Sequence, residues 1–318
     1  MHTSRPSIVP HHDFDANKDA ASLRKAFKGF GTDEGSVIRT LTQRSNFQRQ
    51  QIAVAYKTLH GKDLIKDIKS ELRGDFEDLM VSLTIPTAEY DAEQLYKAMS
   101  GLGTNESVLI EILCSRNNQQ LHAIKQAYRT KYGHELERDI KSDTSGYFER
   151  ILVALSVGNR EDCHHLDQLK ANQDARELYR AGEMKFGTDE STFLTILANR
   201  AYCQLALVFQ EYEKVANHTI EFALRSEFSG DLLEALLAIV QIVRDTPTYF
   251  AERLHRAMQG LGTDDKTLIR IVVSRSEIDL KDIAMAYEKL YKKSLIDEVK
   301  GETSGDYESA LVAIFKGN

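Results

Sequence analysis

Apolar residues recur at helical spacing along most of the chain. In "AASLRKAFKGF", Leu23, Ala26, Phe27 and Phe30 fall at i, i+3, i+4 and i+7, the pattern of one buried helix face. "SVIRTL" follows Thr32, with Asp33 and Glu34 in its first turn, where acids suit the positive helix pole. "FQRQQIAVAYKTLHG" spans about four turns and stops at Gly61, a C-cap residue. "KDLIKDIKS" and "DFEDLMVSL" complete a set of five predicted helices.

The set then recurs. "KGFGTDE" (Lys28–Glu34) returns as "SGLGTNE" (Ser100–Glu106), "MKFGTDE" (Met184–Glu190) and "QGLGTDD" (Gln259–Asp265). The glycines before the threonines, Gly31, Gly103, Gly187 and Gly262, are 72, 84 and 75 residues apart. An arginine stands at +13 from each (Arg44, Arg116, Arg200, Arg275), an acid at +40 (Glu71, Asp143, Glu227, Glu302) and a glycine at +43 (Gly74, Gly146, Gly230, Gly305). The extra length before the third copy falls in the polar stretch 158–174, and Pro86 and Pro247 open the second and fourth copies. The prediction is an all-α chain of four compact five-helix units: tail 1–14, repeats 15–85 and 86–157, linker 158–173, repeats 174–245 and 246–318.

Composition narrows the function. The chain has 318 residues, 42% hydrophobic and 28% charged, as a soluble globular protein would. The N-terminus lacks the apolar run of a signal peptide, and no apolar stretch is long enough to span a membrane. Cys114, Cys163 and Cys203 lie far apart, which fits a reducing, cytoplasmic setting with the cysteines as small core or surface residues. Cys163-His164-His165 lacks a fourth zinc ligand nearby. The net charge of −7 disfavours nucleic acid as a partner, and an acidic membrane should repel the chain unless a cation bridges the two.

Three readings compete for the glycine loop. As an αα turn, it would use Gly29 or Gly31 at positive φ and Thr32 as the cap of the next helix. As a phosphate loop, it lacks the G-x-x-x-x-G-K-[ST] pattern, and a helix rather than a strand precedes it. As half of a cation site, it explains the acid at +40. That acid falls late in a helix, near the negative pole, where a carboxylate is mildly unfavourable and a bound cation offsets the cost. A solvated polar residue remains the plain reading of any one such acid. "DFDANK" imitates an EF-hand opening, but Lys18 and Arg24 stand where glycine and glutamate are needed. No nucleophile–base constellation can be argued from spacing, so an enzyme is not expected.

These loops, with arginine at +13 and the acid at +40, resemble the annexin family from about Asp15 to the C-terminus. The resemblance implies a curved all-α disc of four five-helix repeats. It also implies calcium sites, on the convex face, that bind acidic phospholipids through loop carbonyls and the acid. The implied ligands are Phe27, Gly29, Gly31 and Glu71; Met99, Gly101, Gly103 and Asp143; and Met258, Gly260, Gly262 and Glu302. The third loop departs, with Lys185 in place of the first glycine, and its set becomes Gly182, Lys185, Gly187 and Glu227. Thr32 with Glu34 is either a second, minor calcium site or a helix cap. Ser100 and Gln259 replace the motif's lysine and remove a lysine–phosphate contact. Phe30, Leu102, Phe186 and Leu261 are either apolar tips that touch the membrane or turn residues folded onto their own units.

Three carbonyls and a bidentate carboxylate leave room for a lipid phosphate in calcium's shell, and one carboxylate against a divalent ion leaves positive charge to meet an acidic surface. The expected function is therefore calcium-dependent binding to acidic phospholipid membranes, with a peripheral organising or trafficking role. A rival is a scaffold that captures a protein partner through the tail. The arginines at +13 read as helix-end residues bonding carbonyls. Some annexins are discussed as ion channels, and Asp91, Glu111, Arg116 and Arg270 fit such a lining, although Gln94 replaces a common glutamate. Family habit implies homotrimers on bilayers.

Overall fold

The structure, a computed structural model, describes residues 4–318 apart from Phe30, His164, Lys185, Phe186 and Leu261. The described residues form 19 helices and no strand. The first repeat contains α1 (Ala16–Ala26), α2 (Glu34–Leu41), α3 (Asn46–His60), α4 (Leu64–Glu71) and α5 (Gly74–Thr84). The second contains α6 (Thr87–Met99), α7 (Glu106–Ser115), α8 (Asn118–Tyr132), α9 (Leu136–Asp143) and α10 (Gly146–Ser156). The third has α11 (Gln168–Ala181), α12 (Glu190–Asn199), α13 (Tyr202–Ala216), α14 (Ile220–Glu227) and the start of α15 (Gly230–Met258). The run α15 breaks at Asp245, whose backbone is extended two residues before Pro247, so its second half opens the fourth repeat. There α16 (Asp265–Arg275), α17 (Leu280–Tyr291), α18 (Leu295–Glu302) and α19 (Gly305–Lys316) follow. Four repeats of five helices are thus present.

The chain divides into two compact units. One joins the residues up to Tyr90 with Pro247–Asn318; the other is Asp91–Thr246. In the first, α5 packs on α16 and α19 packs on α2 and α5; in the second, α10 packs on α7 and α12. The predicted helix faces are buried: Leu23, Ala26 and Phe27 in α1 and its cap, and Ile52 and Tyr56 in α3. As the sequence predicts, Gly61 caps α3 in the left-handed conformation.

The arginines at +13 need a correction. Each stands at or just past the end of its repeat's second helix, as expected, but its principal partner is a carboxylate. Arg44 clasps Asp19 (2.6 and 3.1 Å), Arg116 clasps Asp91 (2.7 and 2.9 Å) and Arg200 clasps Asp174 (2.6 and 2.9 Å). Each aspartate lies seven residues before an alanine, Ala26, Ala98 or Ala181, in the last turn of the first helix of its repeat. These two-point pairs lock the first helix to the end of the second. In the fourth repeat that register holds Phe250. Arg275 packs there at 4.6 Å from the ring centroid and takes Asp279, four residues on, as its carboxylate (2.8 and 2.5 Å). Of the polar-lining candidates, Asp91 and Arg116 are therefore engaged with each other.

The stretch predicted as a polar linker is tied down. Glu161 N–H donates to the Asn199 carbonyl (2.8 Å), and Arg160 donates to the Leu197 and Arg200 carbonyls (2.8 and 2.6 Å). Cys163 is joined to Cys203 by a disulfide, with Cα atoms 6.1 Å apart, while Cys114 is buried and takes no part in a disulfide. The expectation of separate core or surface cysteines holds for Cys114 alone. A sequence separation of 40 residues conceals the pairing, which forms where the start of α13 meets the segment before α11. Closing a loop of 40 residues is worth up to about 4 kcal/mol through the unfolded chain. Reduction, or Cys163→Ser, is expected to lower the midpoint of thermal unfolding by several degrees. Equal melting curves with and without reductant would contradict the pairing.

The N-terminal segment is also fixed. Lys281 N–H donates to the Arg5 carbonyl (3.1 Å), Arg5 Nε donates to Asp282 (2.7 Å), and Ser7 and Ile8 N–H both donate to the Ser276 carbonyl (2.8 and 2.9 Å). Ile8 is buried, and Asn318 bonds Val9 in both directions.

Candidate functional site

Each glycine loop joins the first and second helices of its repeat and is closed by one backbone bond. The N–H groups of Asp33, Asn105, Asp189 and Asp264 donate to the carbonyls of Ala26, Ala98, Ala181 and Ala257 at 3.0, 2.8, 2.7 and 2.7 Å. The same four residues cap the second helices with their side chains. The cap is therefore the residue after the threonine, which corrects the reading of Thr32 as cap.

The displaced threonines have another partner. Thr32 Oγ1 donates to Glu71 (3.2 Å), Thr104 to Asp143 (2.6 Å), Thr188 to Glu227 and Thr263 to Glu302 (3.4 Å). In every repeat the acid at +40 thus meets the glycine loop. The acid ends the fourth helix, and three residues later the fifth begins with Gly74, Gly146, Gly230 or Gly305, all at φ between 60° and 65°. That left-handed residue makes the tight turn that leaves the acid at the helix end.

The second loop glycine also has positive φ: 86° at Gly31, 84° at Gly103, 84° at Gly187 and 91° at Gly262. A Cβ there would meet nothing within 4 Å, so conformation rather than space calls for glycine. Among the described residues none donates to the carbonyls of Phe27, Gly29 or Gly31. No three His, Cys, Asp or Glu side chains gather as a metal cluster among the described residues. The donor set is one carboxylate with neutral carbonyl oxygens, which suits a hard cation that takes oxygen ligands and water.

The third loop is held differently. Gly182 ends α11, and Glu183 accepts from the Tyr212 hydroxyl (2.8 Å) and lies 3.0 Å from His218 Nε2. The bond to Glu183 raises the His218 pKa. Of the predicted residues, Lys185, Phe30, Phe186 and Leu261 lie outside the described residues. Leu102 is fully exposed at its loop tip. Glu34 begins α2, whose cap is Asp33.

A four-fold repeat of five helices, each with a glycine loop closed on an acid from the fourth helix, defines a class of α-helical repeat protein. Comparison with known proteins places it. The Annexin family model matches residues 18–83, 90–155, 173–239 and 249–314. Annexin A4 of Bos taurus is 51% identical over 305 residues, 96% of each chain. The structure of annexin III superposes with a TM-score of 0.97 at 47% identity, covering 99% of this chain and 98% of that one. A structure titled calcium-bound annexin (Sm)1 superposes with a TM-score of 0.91 at 36% identity, covering 98% and 93%. The chain belongs to the annexin family, which is known for calcium-dependent phospholipid binding.

Proposed function

We propose that this chain binds calcium at its glycine loops and through it the phosphates of acidic phospholipids. The observation that carries this reading is the threonine-held contact between loop and acid in all four repeats. Calcium, when bound, supplies the positive charge by which an acidic chain meets an acidic surface. The proposed ligands are the carbonyls of Phe27, Gly29 and Gly31 with Glu71; Met99, Gly101 and Gly103 with Asp143; Gly182, Lys185 and Gly187 with Glu227; and Met258, Gly260 and Gly262 with Glu302. The calcium-bound relative supports the choice of ion. In the first repeat Thr32 also meets Glu71 and Glu34 begins α2, and a second, minor calcium site at Thr32 and Glu34 belongs to the same proposal.

The chain acts as a binding protein, not an enzyme, with a peripheral membrane-organising role. No helix among the described residues is long and apolar enough to cross a membrane. Arg5 to Val9 are already bound to the fold, so a partner captured by the tail would have to displace them. The test is co-sedimentation with phosphatidylserine vesicles: binding in calcium and release by a chelator are expected, and calcium-independent binding would overturn the reading.

Leu102 is the membrane contact of the second loop. Burying a leucine side chain is worth about 2 kcal/mol, and an acid there would also repel the surface. Leu102→Asp is expected to weaken vesicle binding about tenfold at limiting calcium. Calcium binding in the absence of lipid should not change. Unaltered vesicle affinity would remove the tip from the interface.

A further inference from the structure

The segment 160–167, between the second and third repeats, is clamped at both ends. Arg160 exchanges two bonds with Asn118: its N–H donates to Oδ1 (3.1 Å), and Asn118 Nδ2 donates to its carbonyl (2.8 Å). Asp167 does the same with the buried Gln204 of α13, its N–H donating to Oε1 (3.0 Å) and its carbonyl accepting from Nε2 (2.7 Å). Between the clamps, Cys163 is pinned to Cys203 in the first turn of α13. The ring closed by this bond contains α11, the third glycine loop and α12.

The first repeat has the clamp without the bond. There Gln48 of α3 holds His11 at the same two points (2.9 and 2.8 Å). Ser7 stands four residues before His11, as Cys163 stands before Asp167, and the exposed Phe47 precedes Gln48, as Cys203 precedes Gln204. Such a segment is therefore held in place without sulfur.

Exposed disulfides are the ones that exchange with thiols. Cys163 is exposed and Cys203 is half-buried, so an attacking thiolate meets the Cys163 sulfur first. The electron pair of the broken bond then leaves on Cys203. Cys203 is the second residue of α13, whose N-cap, Ala201, makes no side-chain bond to the first turn. The positive pole of that helix stabilises the departing thiolate. Both clamps outlast the cleavage, so the two sulfurs stay close and re-closure is intramolecular.

We propose that Cys163–Cys203 is a reversible thiol–disulfide exchange site, opened by a dithiol and closed by glutathione disulfide, that sets the local stability of the ring around the third glycine loop. In opening, one thiolate of the dithiol bonds to Cys163 Sγ and expels Cys203. The second thiol then closes on the first and expels Cys163. The dithiol ends as a cyclic disulfide, having given two electrons and two protons, and both cysteines end as thiols. In closing, Cys163 attacks glutathione disulfide and releases one glutathione. Cys203 then attacks the Cys163 sulfur of the mixed disulfide and releases the other. Cleavage gives the locally unfolded ring more conformations, so α11 and α12 open more often. No step involves calcium, and the site stands apart from the calcium reading.

The test uses the full chain without denaturant, treated with dithiothreitol and then with glutathione disulfide. Alkylation should find thiols at Cys163 and Cys203 after the first step and at neither after the second, with a glutathione adduct on Cys163 in between. Hydrogen exchange read by mass spectrometry should show residues 168–199 exchanging at least about tenfold faster in the opened chain. Residues 16–41, the same two helices of the first repeat, should not change. In Cys203→Ser the adduct on Cys163 should persist, and in Cys163→Ser the adduct on Cys203 should form at least about tenfold more slowly. A bond that dithiothreitol opens only in denaturant would be a static staple, and the proposal would fall. Equal exchange of residues 168–199 in both states would overturn it too, as would failure of glutathione disulfide to restore the bond. Glutathione adding to Cys203 as fast as to Cys163 would overturn the order of attack.

Discussion

A chain carrying Glu71→Gln, Asp143→Asn, Glu227→Gln and Glu302→Gln together is expected to lose calcium-dependent binding to phosphatidylserine vesicles. Each substitution keeps the shape of the side chain and an oxygen that can accept the threonine hydroxyl. The acids are exposed or half-buried at helix ends, so the fold should be altered by no more than about 0.5 kcal/mol per site. What disappears is the one formal negative charge of each donor set. Without it only neutral oxygens remain to dehydrate a divalent cation, and affinity falls with ligand charge. Four weakened sites on one chain also lose their mutual avidity. The calcium concentration for half-maximal sedimentation should therefore rise by at least about 100-fold. A titration whose midpoint does not move would remove these acids from the site, whatever the chain binds.

The largest expected effect on stability comes from Asp91→Ala. The Arg116 side chain is 2% exposed and meets both oxygens of Asp91. Removing the carboxylate leaves Ser115 Oγ (2.7 Å) among its partners but deprives a buried guanidinium of its counter-charge. Breaking one side of such a pair costs about 3–5 kcal/mol. In a unit of this size that lowers the unfolding midpoint by roughly 10 °C. Asp174→Ala should cost less, because Arg200 is 21% exposed and also reaches Glu161 at 3.0 Å. Adding Arg116→Met to Asp91→Ala should recover much of the loss, since the stranded charge is then gone. Calorimetry of the three variants checks the order. Equal midpoints for Asp91→Ala and Asp174→Ala would show that burial does not set the cost.

Much of this was legible in the residues themselves. Helical spacing places Leu23, Ala26 and Phe27 on a buried face, and Gly61 marks a helix end. The shared register of loop, arginine and acid identifies four repeats. The partners of the arginines were harder to read. Asp19, Asp91 and Asp174 share a register in the first helices, a signal that was present, but the third loop carries one extra residue and Phe250 breaks the pattern in the fourth repeat. Thr and Asp both suit an N-cap, and which of two neighbouring residues takes that role is decided by backbone geometry. Cys163 and Cys203 pair where the start of α13 meets the segment before α11, which no local pattern predicts.

The sequence by itself determined the repeat, its five helices and the pairing of a glycine loop with an acid forty residues away, because helical periodicity and backbone conformation are set by near neighbours. Only the tertiary structure decided how the loop and acid meet and which carboxylate each arginine takes. Those are contacts between helices, and their energies depend on distance and burial that are fixed only when the repeats pack.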